Sequence, residues 1–211
     1  MKRRLRGLYV ITEDRPPHTR PLLSGVESAL RGGARIVQYR DKSDDAGRRL
    51  DEAQALMQLC HRYDALFLIN DDVRLAASAS ADGVHLGRDD ADIAAARRQL
   101  PAGALIGVSC YNEFALARRA AGQGASYIAF GSFHPSPTKP QAVRAQPELL
   151  QRARRELSLP TVAIGGISPE NGAALVAAGA DMLAVISAVF SQPDIAGASR
   201  RFSDLFPESA S

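Results

Sequence analysis

A single (β/α)8 barrel of the α/β class is the fold this sequence predicts, on three observations. Eight short apolar runs recur at fairly even spacing along 211 residues. The stretches between them carry apolar residues at helical spacing, and a Gly-Ala step recurs just ahead of several runs. Most runs are continuously apolar rather than alternating, as parallel strands buried on both faces must be. Eight βα units with no insertion long enough for a second domain favour a closed barrel over an open doubly wound sheet. The expected organisation is one barrel domain over residues 1–206 and a short C-terminal tail at 207–211.

In chain order, the predicted strands are residues 8–11, 36–39, 66–69, 83–85, 105–108, 127–130, 161–164 and 182–186. Between the second and third, Leu50, Ala53, Met57 and Cys60 fall three and four residues apart, as one face of a helix requires; Leu149, Leu150, Ala153 and Leu157 do the same before the seventh. Ser168-Pro169 places a capping hydroxyl and then a preset φ at a helix start. The steps Gly33-Ala34, Gly124-Ala125 and Gly179-Ala180, with Asp82-Gly83 as a shortened variant, read as helices closed by a left-handed glycine and followed by a buried strand.

Composition excludes several function classes. Twenty-six basic residues against 23 acidic ones give a net charge of only +3, and the arginines are interspersed with acids, so no nucleic-acid partner is expected. No apolar run approaches the roughly 20 residues of a membrane helix, and the basic start of the chain lacks a cleavage site behind an apolar segment. Cys60 and Cys110 lack the spacing of a metal site or a disulfide framework, and Cys110 reads as structural. A cytoplasmic protein is expected, with no membrane partner, and the sequence leaves room for a homo-oligomer.

In a barrel of this kind the chemistry sits at the C-terminal ends of the strands. Those ends are polar here: Thr12; Gln38 to Lys42; Asn70, Asp71 and Asp72; His85 to Asp90; Ser109; residues 131–140; Gly165-Gly166; and Ser187. Only three of the 26 basic residues are lysine, and two of them, Lys42 and Lys139, fall at strand ends. Arg40, Lys42 and Lys139 with the amide of Asn70 have the composition of a polyphosphate clamp; the alternative for Arg40 and Lys42 is local pairing with Asp41 or Asp44. Asp71 and Asp90 suit Mg2+, which is commonly held by one or two carboxylates with substrate phosphates completing its shell; the alternative is that Asp71, Asp72, Asp89, Asp90 and Asp92 cap the helices that follow. Gly165-Gly166 and Ser187 suggest a phosphate cradle after the seventh and eighth strands. His85 reads as barrel interior.

The segments Gln38-Tyr39-Arg40-Asp41-Lys42, Ile69-Asn70-Asp71, Gly83-Val84-His85-Leu86-Gly87, Gly107-Val108-Ser109, Pro135-Ser136-Pro137-Thr138-Lys139-Pro140 and Ala163-Ile164-Gly165-Gly166-Ile167 are highly specific in this order and spacing. With them the chain resembles the thiamine-phosphate synthases over nearly its whole length. The resemblance implies a transferase that joins 4-amino-2-methyl-5-hydroxymethylpyrimidine diphosphate to a thiazole phosphate, giving thiamine phosphate and diphosphate. It implies that Gln38, Arg40, Lys42, Asn70 and Lys139 hold the diphosphate and orient the pyrimidine, with Ser109 lining the same pocket. Arg40, Lys42, Asn70, Lys139 and Ser109 would be the catalytic set. Asp71 and Asp90 would hold Mg2+, Ser136 and Thr138 would contact the diphosphate or the thiazole side, and Gly166, Ile186 and Ser187 would bind the thiazole phosphate. Two other readings stay open: a thiazole tautomerase-like relative, and a non-catalytic protein that binds thiamine precursors. A tautomerase of this kind resembles the present chain but carries a histidine two residues after the serine, where this sequence has Tyr111.

Overall fold

The computed structural model describes residues 5–13, 21–87, 92–135 and 143–206. Eight parallel strands close into a barrel in sequence order, β8 pairing with β1. They are β1 (Gly7–Ile11), β2 (Ile36–Tyr39), β3 (Leu66–Asn70), β4 (Gly83–Leu86), β5 (Leu105–Tyr111), β6 (Tyr127–Gly131), β7 (Thr161–Ile164) and β8 (Met182–Val185). The helices between them are α1 (Leu22–Arg31), α2 (Ala46–Arg62), α3 (Val73–Ser78), α4 (Ile93–Gln99), α5 (Phe114–Gly122), α6 (Glu148–Glu156) and α7 (Pro169–Ala178). After β8 come a single turn, α8 (Ser187–Phe190), and an outer helix, α9 (Ile195–Ser203), which packs on α1. The barrel is the expected fold; α8 and α9 were not foreseen.

Alternation along each strand splits the apolar residues into two cores, because successive side chains point to opposite faces. Leu8, Val10, Val37, Phe67, Val84, Ile106, Ile128 and Leu183 face the helical shell. Tyr9, Ile36, Leu68, Leu105, Tyr127, Val162 and Met182 form a separate interior cluster. Burial on both faces is why the runs read as continuously apolar. The helices obey their local signals as well: Ser168 opens α7, its N–H donating to Asn171 Oδ1 at 2.9 Å, with Pro169 in the first helical position.

The glycine expectation holds at three of its four positions. Gly33, Gly124 and Gly179 take φ of +97°, +85° and +116° just past helices, a region that costs other residues more. Gly83 does not: it is a strand residue of β4, and a Cβ there would stand 2.0 Å from the Leu105 carbonyl oxygen. The left-handed residue after α3 is Ser80 instead, at φ 54°.

The residue ahead of three even-numbered strands binds across to the preceding odd one. Asp82 accepts from Phe67 N at 2.7 Å, Ser126 from Ile106 N at 3.0 Å, and Asp181 from Thr161 N at 2.8 Å. These side chains stitch together the N-terminal rim of the barrel, opposite the end where polar residues gather.

Candidate functional site

The C-terminal rim is assembled strand by strand. Thr12, just past β1, accepts from Arg40 N at 2.9 Å and so holds the backbone at the end of β2. Beyond it, the 40–45 loop is latched to α2. Asp41 accepts from Ser43 N at 2.8 Å and from Arg48 at 2.8 Å; Arg48 also donates to Glu52, and Tyr39 donates its hydroxyl to Glu52 at 2.6 Å. Burial alone would raise the Asp41 carboxyl, but its bonds to Ser43 and the Arg48 guanidinium outweigh burial and hold it below its ordinary range. Asp41 therefore pairs with Arg48, not with the Arg40 and Lys42 that flank it.

At the end of β3 the two adjacent aspartates divide their roles. Asp72 caps α3 by accepting from Leu75 N at 2.9 Å and pairs with Arg49 at 2.9 Å. Asp71 is not the cap of α3: it sits at φ 60° with its N–H donating to His85 O at 2.8 Å, and the Asn70 amide donates to its Oδ2 at 2.6 Å. Asp92 is the cap of α4, accepting from Ala95 N at 2.7 Å. Asp89 and Asp90 lie outside the described residues. Among the described residues, no three His, Cys, Asp or Glu side chains group as a metal site.

Ser109 lies inside β5 rather than at its end, because the strand continues through a register irregularity to Tyr111. Its hydroxyl meets His85 Nε2 at 2.9 Å. Tyr111, where a tautomerase-like relative would carry histidine, is 38% exposed. Cys110 is fully buried, and burial pushes its thiol up to about 12, consistent with a structural role.

After β6, Ser132 N donates to Val143 O and Ala145 N to Ser132 O, so the residues bracketing 136–142 meet at one point. Ser136, Thr138 and Lys139 fall within 136–142, outside the described residues. Gly165 and Gly166, after β7, take φ of +100° and +62°, and a Cβ on Gly166 would stand 2.2 Å from the Pro135 carbonyl oxygen. That position accepts only glycine. Ile186, expected to end β8, instead turns out of the sheet at φ −117°, ψ −91° as the N-cap of α8, and Ser187 is the first residue of that helix. Gln38, Arg40, Lys42, Asn70, Asp71, Ser109, Gly166, Ile186 and Ser187 thus all stand at or beside C-terminal strand ends of one closed barrel.

Sequence reasoning missed two interior side chains, Tyr9 and Tyr127, whose hydroxyls meet at 3.0 Å between Gln38 and His85. Gly107 was the available signal. A Cβ there would stand 2.0 Å from Tyr127 Cζ, so the glycine leaves room for that ring inside the barrel.

The chain is 52% identical over 203 residues to the "Thiamine-phosphate synthase" of Thioalkalivibrio sulfidiphilus, covering 96% of each chain. It is 54% identical over 197 residues to the protein of the same name from Halorhodospira halophila, covering 93% of this chain and 92% of that one. The solved structure of a thiamine phosphate pyrophosphorylase from Pyrococcus furiosus superposes with a TM-score of 0.86 at 35% identity, over 96% of both chains. Residues 8–189, which run from the first barrel strand to the turn after the last, match the family model described as thiamine monophosphate synthase, and the chain belongs to that family.

Proposed function

We propose that the mouth of this barrel joins 4-amino-2-methyl-5-hydroxymethylpyrimidine diphosphate to a thiazole phosphate, releasing diphosphate and forming thiamine phosphate. The observation that carries the reading is the identity of 52% and 54%, over nearly the whole chain, to proteins named thiamine-phosphate synthase. The chain is accordingly an enzyme of the transferase class. Its substrates are small molecules, it needs neither nucleic acid nor membrane, and it works in the cytoplasm. No helix among the described residues is long and apolar enough to cross a membrane. The catalytic domain on this reading spans residues 1–206, with 207–211 as a tail.

The substitution is dissociative. The C–O bond to diphosphate breaks first, the amino group of the pyrimidine stabilises the benzylic-type cation, and the thiazole nitrogen attacks it. Breaking that bond concentrates negative charge on the departing diphosphate, so the protein's work is to neutralise that charge in place. Arg40 and Lys42, presented by the latched loop after β2, do so together with Lys139, while Gln38, Asn70 and Ser109 orient the pyrimidine. Ser136 and Thr138 hydrogen-bond the diphosphate or the thiazole side. Gly166, Ile186 and Ser187 hold the thiazole phosphate through backbone N–H groups, with the positive φ of Gly166 in support. The thiazole nitrogen is nucleophilic already, so no strong base is required.

The residues at the end of β3 fit Mg2+. Asp71 offers a hard carboxylate whose orientation is set by Asn70 and whose helix-capping duty is taken by Asp72. Asp71 and Asp90 would hold the ion, and bound there it would supply positive charge against the leaving diphosphate.

The test supplies purified protein with both substrates, with and without Mg2+, and follows diphosphate and thiamine phosphate together. Mg2+-dependent release of diphosphate, matched one-for-one by thiamine phosphate, is expected. Binding of both substrates without turnover refutes the reading.

A further inference from the structure

Five side chains from five strands form one hydrogen-bonded chain across the barrel interior. Gln38 Nε2 donates to Tyr9 Oη at 2.6 Å; Tyr9 Oη meets Tyr127 Oη at 3.0 Å; Tyr127 Oη meets His85 Nδ1 at 2.9 Å; His85 Nε2 meets Ser109 Oγ at 2.9 Å. Gln38, Tyr9, Tyr127 and His85 are buried, and the rings of His85 and Tyr127 stack with centroids 5.6 Å apart. The two ends of the chain, Gln38 and Ser109, are the residues the proposed reaction uses to orient the pyrimidine.

Proton counting orders the chain. Both phenols are buried and bonded to each other, and both ring nitrogens of the buried imidazole are taken by hydroxyls, so all three groups stand neutral and each has one proton to give. With the Gln38 amide nitrogen donating into the chain, Tyr9 passes its proton toward Tyr127, and Tyr127 passes its own toward His85 Nδ1. The imidazole proton then sits on Nε2 and points at Ser109. Ser109 accepts that bond, so its own proton has no acceptor within the chain and is available to the mouth. At the other end, one N–H of Gln38 is committed to Tyr9, which turns the amide nitrogen toward the chain and leaves the carbonyl oxygen on the opposite arm of the amide as its acceptor.

We propose that this chain is a polarity relay: through Tyr9, Tyr127 and His85 it obliges Gln38 to offer an acceptor and Ser109 a donor to one ligand. This proposal rests on the synthase reading. A 4-aminopyrimidine matches the pair, its exocyclic amino group donating and a ring nitrogen accepting. A 4-oxopyrimidine presents the reverse, a carbonyl that accepts and a ring N–H that donates. Tyr9, Tyr127 and His85 are positioning residues, since they act through the two groups that meet the substrate.

The test has two parts. Nitrogen-15 NMR of the full-length protein without ligand, near neutral pH, reads the His85 tautomer. Neutral imidazole protonated on Nε2 is expected, and protonation on Nδ1 overturns the proton order. Steady-state kinetics then compare the 4-amino pyrimidine diphosphate with its 4-oxo analogue in wild type and in Tyr127→Phe. A site built to hydrogen-bond one pattern discriminates by about 10⁴-fold; Tyr127→Phe is expected to lower the wild-type preference at least about tenfold, whatever it does to stability. An unchanged preference in the folded variant overturns the relay. If Tyr127→Phe does not fold, Tyr9→Phe cuts the same chain one link nearer Gln38 and is read the same way. If wild type turns over neither pyrimidine, it is the synthase reading that fails and the relay's role in selectivity falls with it, while the tautomer still decides the proton order.

Discussion

Adding one methyl group at Gly107 should unsettle the barrel interior out of proportion to its size. A Cβ at that position would lie 2.0 Å from Tyr127 Cζ and 2.3 Å from its Oη, where ordinary contacts between carbon atoms are about 3.5–4.0 Å. Tyr127 is fully buried and cannot swing into solvent. Relief requires the ring to shift by more than an ångström, which breaks its bonds to Tyr9 and His85. Overpacking costs about 1–3 kcal/mol. Losing two buried hydrogen bonds adds about 1 kcal/mol each, and more where His85 Nδ1 is left without a partner. Gly107→Ala should therefore destabilise by about 3–6 kcal/mol, read as the shift in urea unfolding followed by circular dichroism. Tyr127→Leu in the same background removes the collision, so the double variant should lose at least about 2 kcal/mol less than the sum of the single variants, the departure from additivity expected of residues in contact. A Gly107→Ala loss under about 1 kcal/mol, or strict additivity, would show that the glycine is not there to admit the ring.

The adjacent aspartates should separate cleanly. Asp71→Ala should lower turnover by at least about tenfold and raise the Mg2+ concentration needed for half-maximal rate, whereas Asp72→Ala should cost about 1–2 kcal/mol of stability with turnover little changed; Mg2+ titrations and thermal melts on both variants check this. Burial lowers the folded pKa of His85 from 6.5 to about 4. Its contribution is therefore complete above the unfolded value near 6.5 and is lost as pH falls toward 4, an effect of about 3 kcal/mol. Unfolding measured across that range should be flatter for His85→Gln than for wild type, and parallel curves would contradict it. Lys42→Ala should weaken pyrimidine diphosphate binding while leaving the melting temperature near that of wild type, and calorimetric titration with a thermal melt measures both.

The barrel was legible because burying both faces of a parallel strand leaves uninterrupted apolar runs, and eight of them stand out in this chain. Two strands, β2 and β7, begin and end where those runs do. The limits of β5 were not readable, since the register change between Ser109 and Tyr111 arises from pairing with β6 and has no local signature. The rim residues were legible once the barrel was assumed, because strand ends converge there whatever lies between. The capping reading held for Asp72 and Asp92 but not for Asp71, and nothing local distinguishes Asp71 from Asp72; the distinction appears only where Asp71 N binds a carbonyl of β4. Tyr9 and Tyr127 were opaque for a different reason. In an apolar run an aromatic ring reads as core, and here the rings are core while their hydroxyls belong to a polar thread. Gly83 resembled the helix-closing glycines by position alone, although it serves the close approach of Leu105.

The stitches made by Asp82, Ser126 and Asp181 also bear on how such a protein can diverge. They tie strand to strand at the rim farthest from the mouth, and none of them draws on a residue assigned to substrate. A lineage could rewrite the loops after β2 and β6, changing what is bound, without loosening those ties. Conversely, loss of a stitch would be felt as a less durable protein rather than as an altered specificity. Heritable change in chemistry and heritable change in durability are thereby uncoupled by the length of a strand.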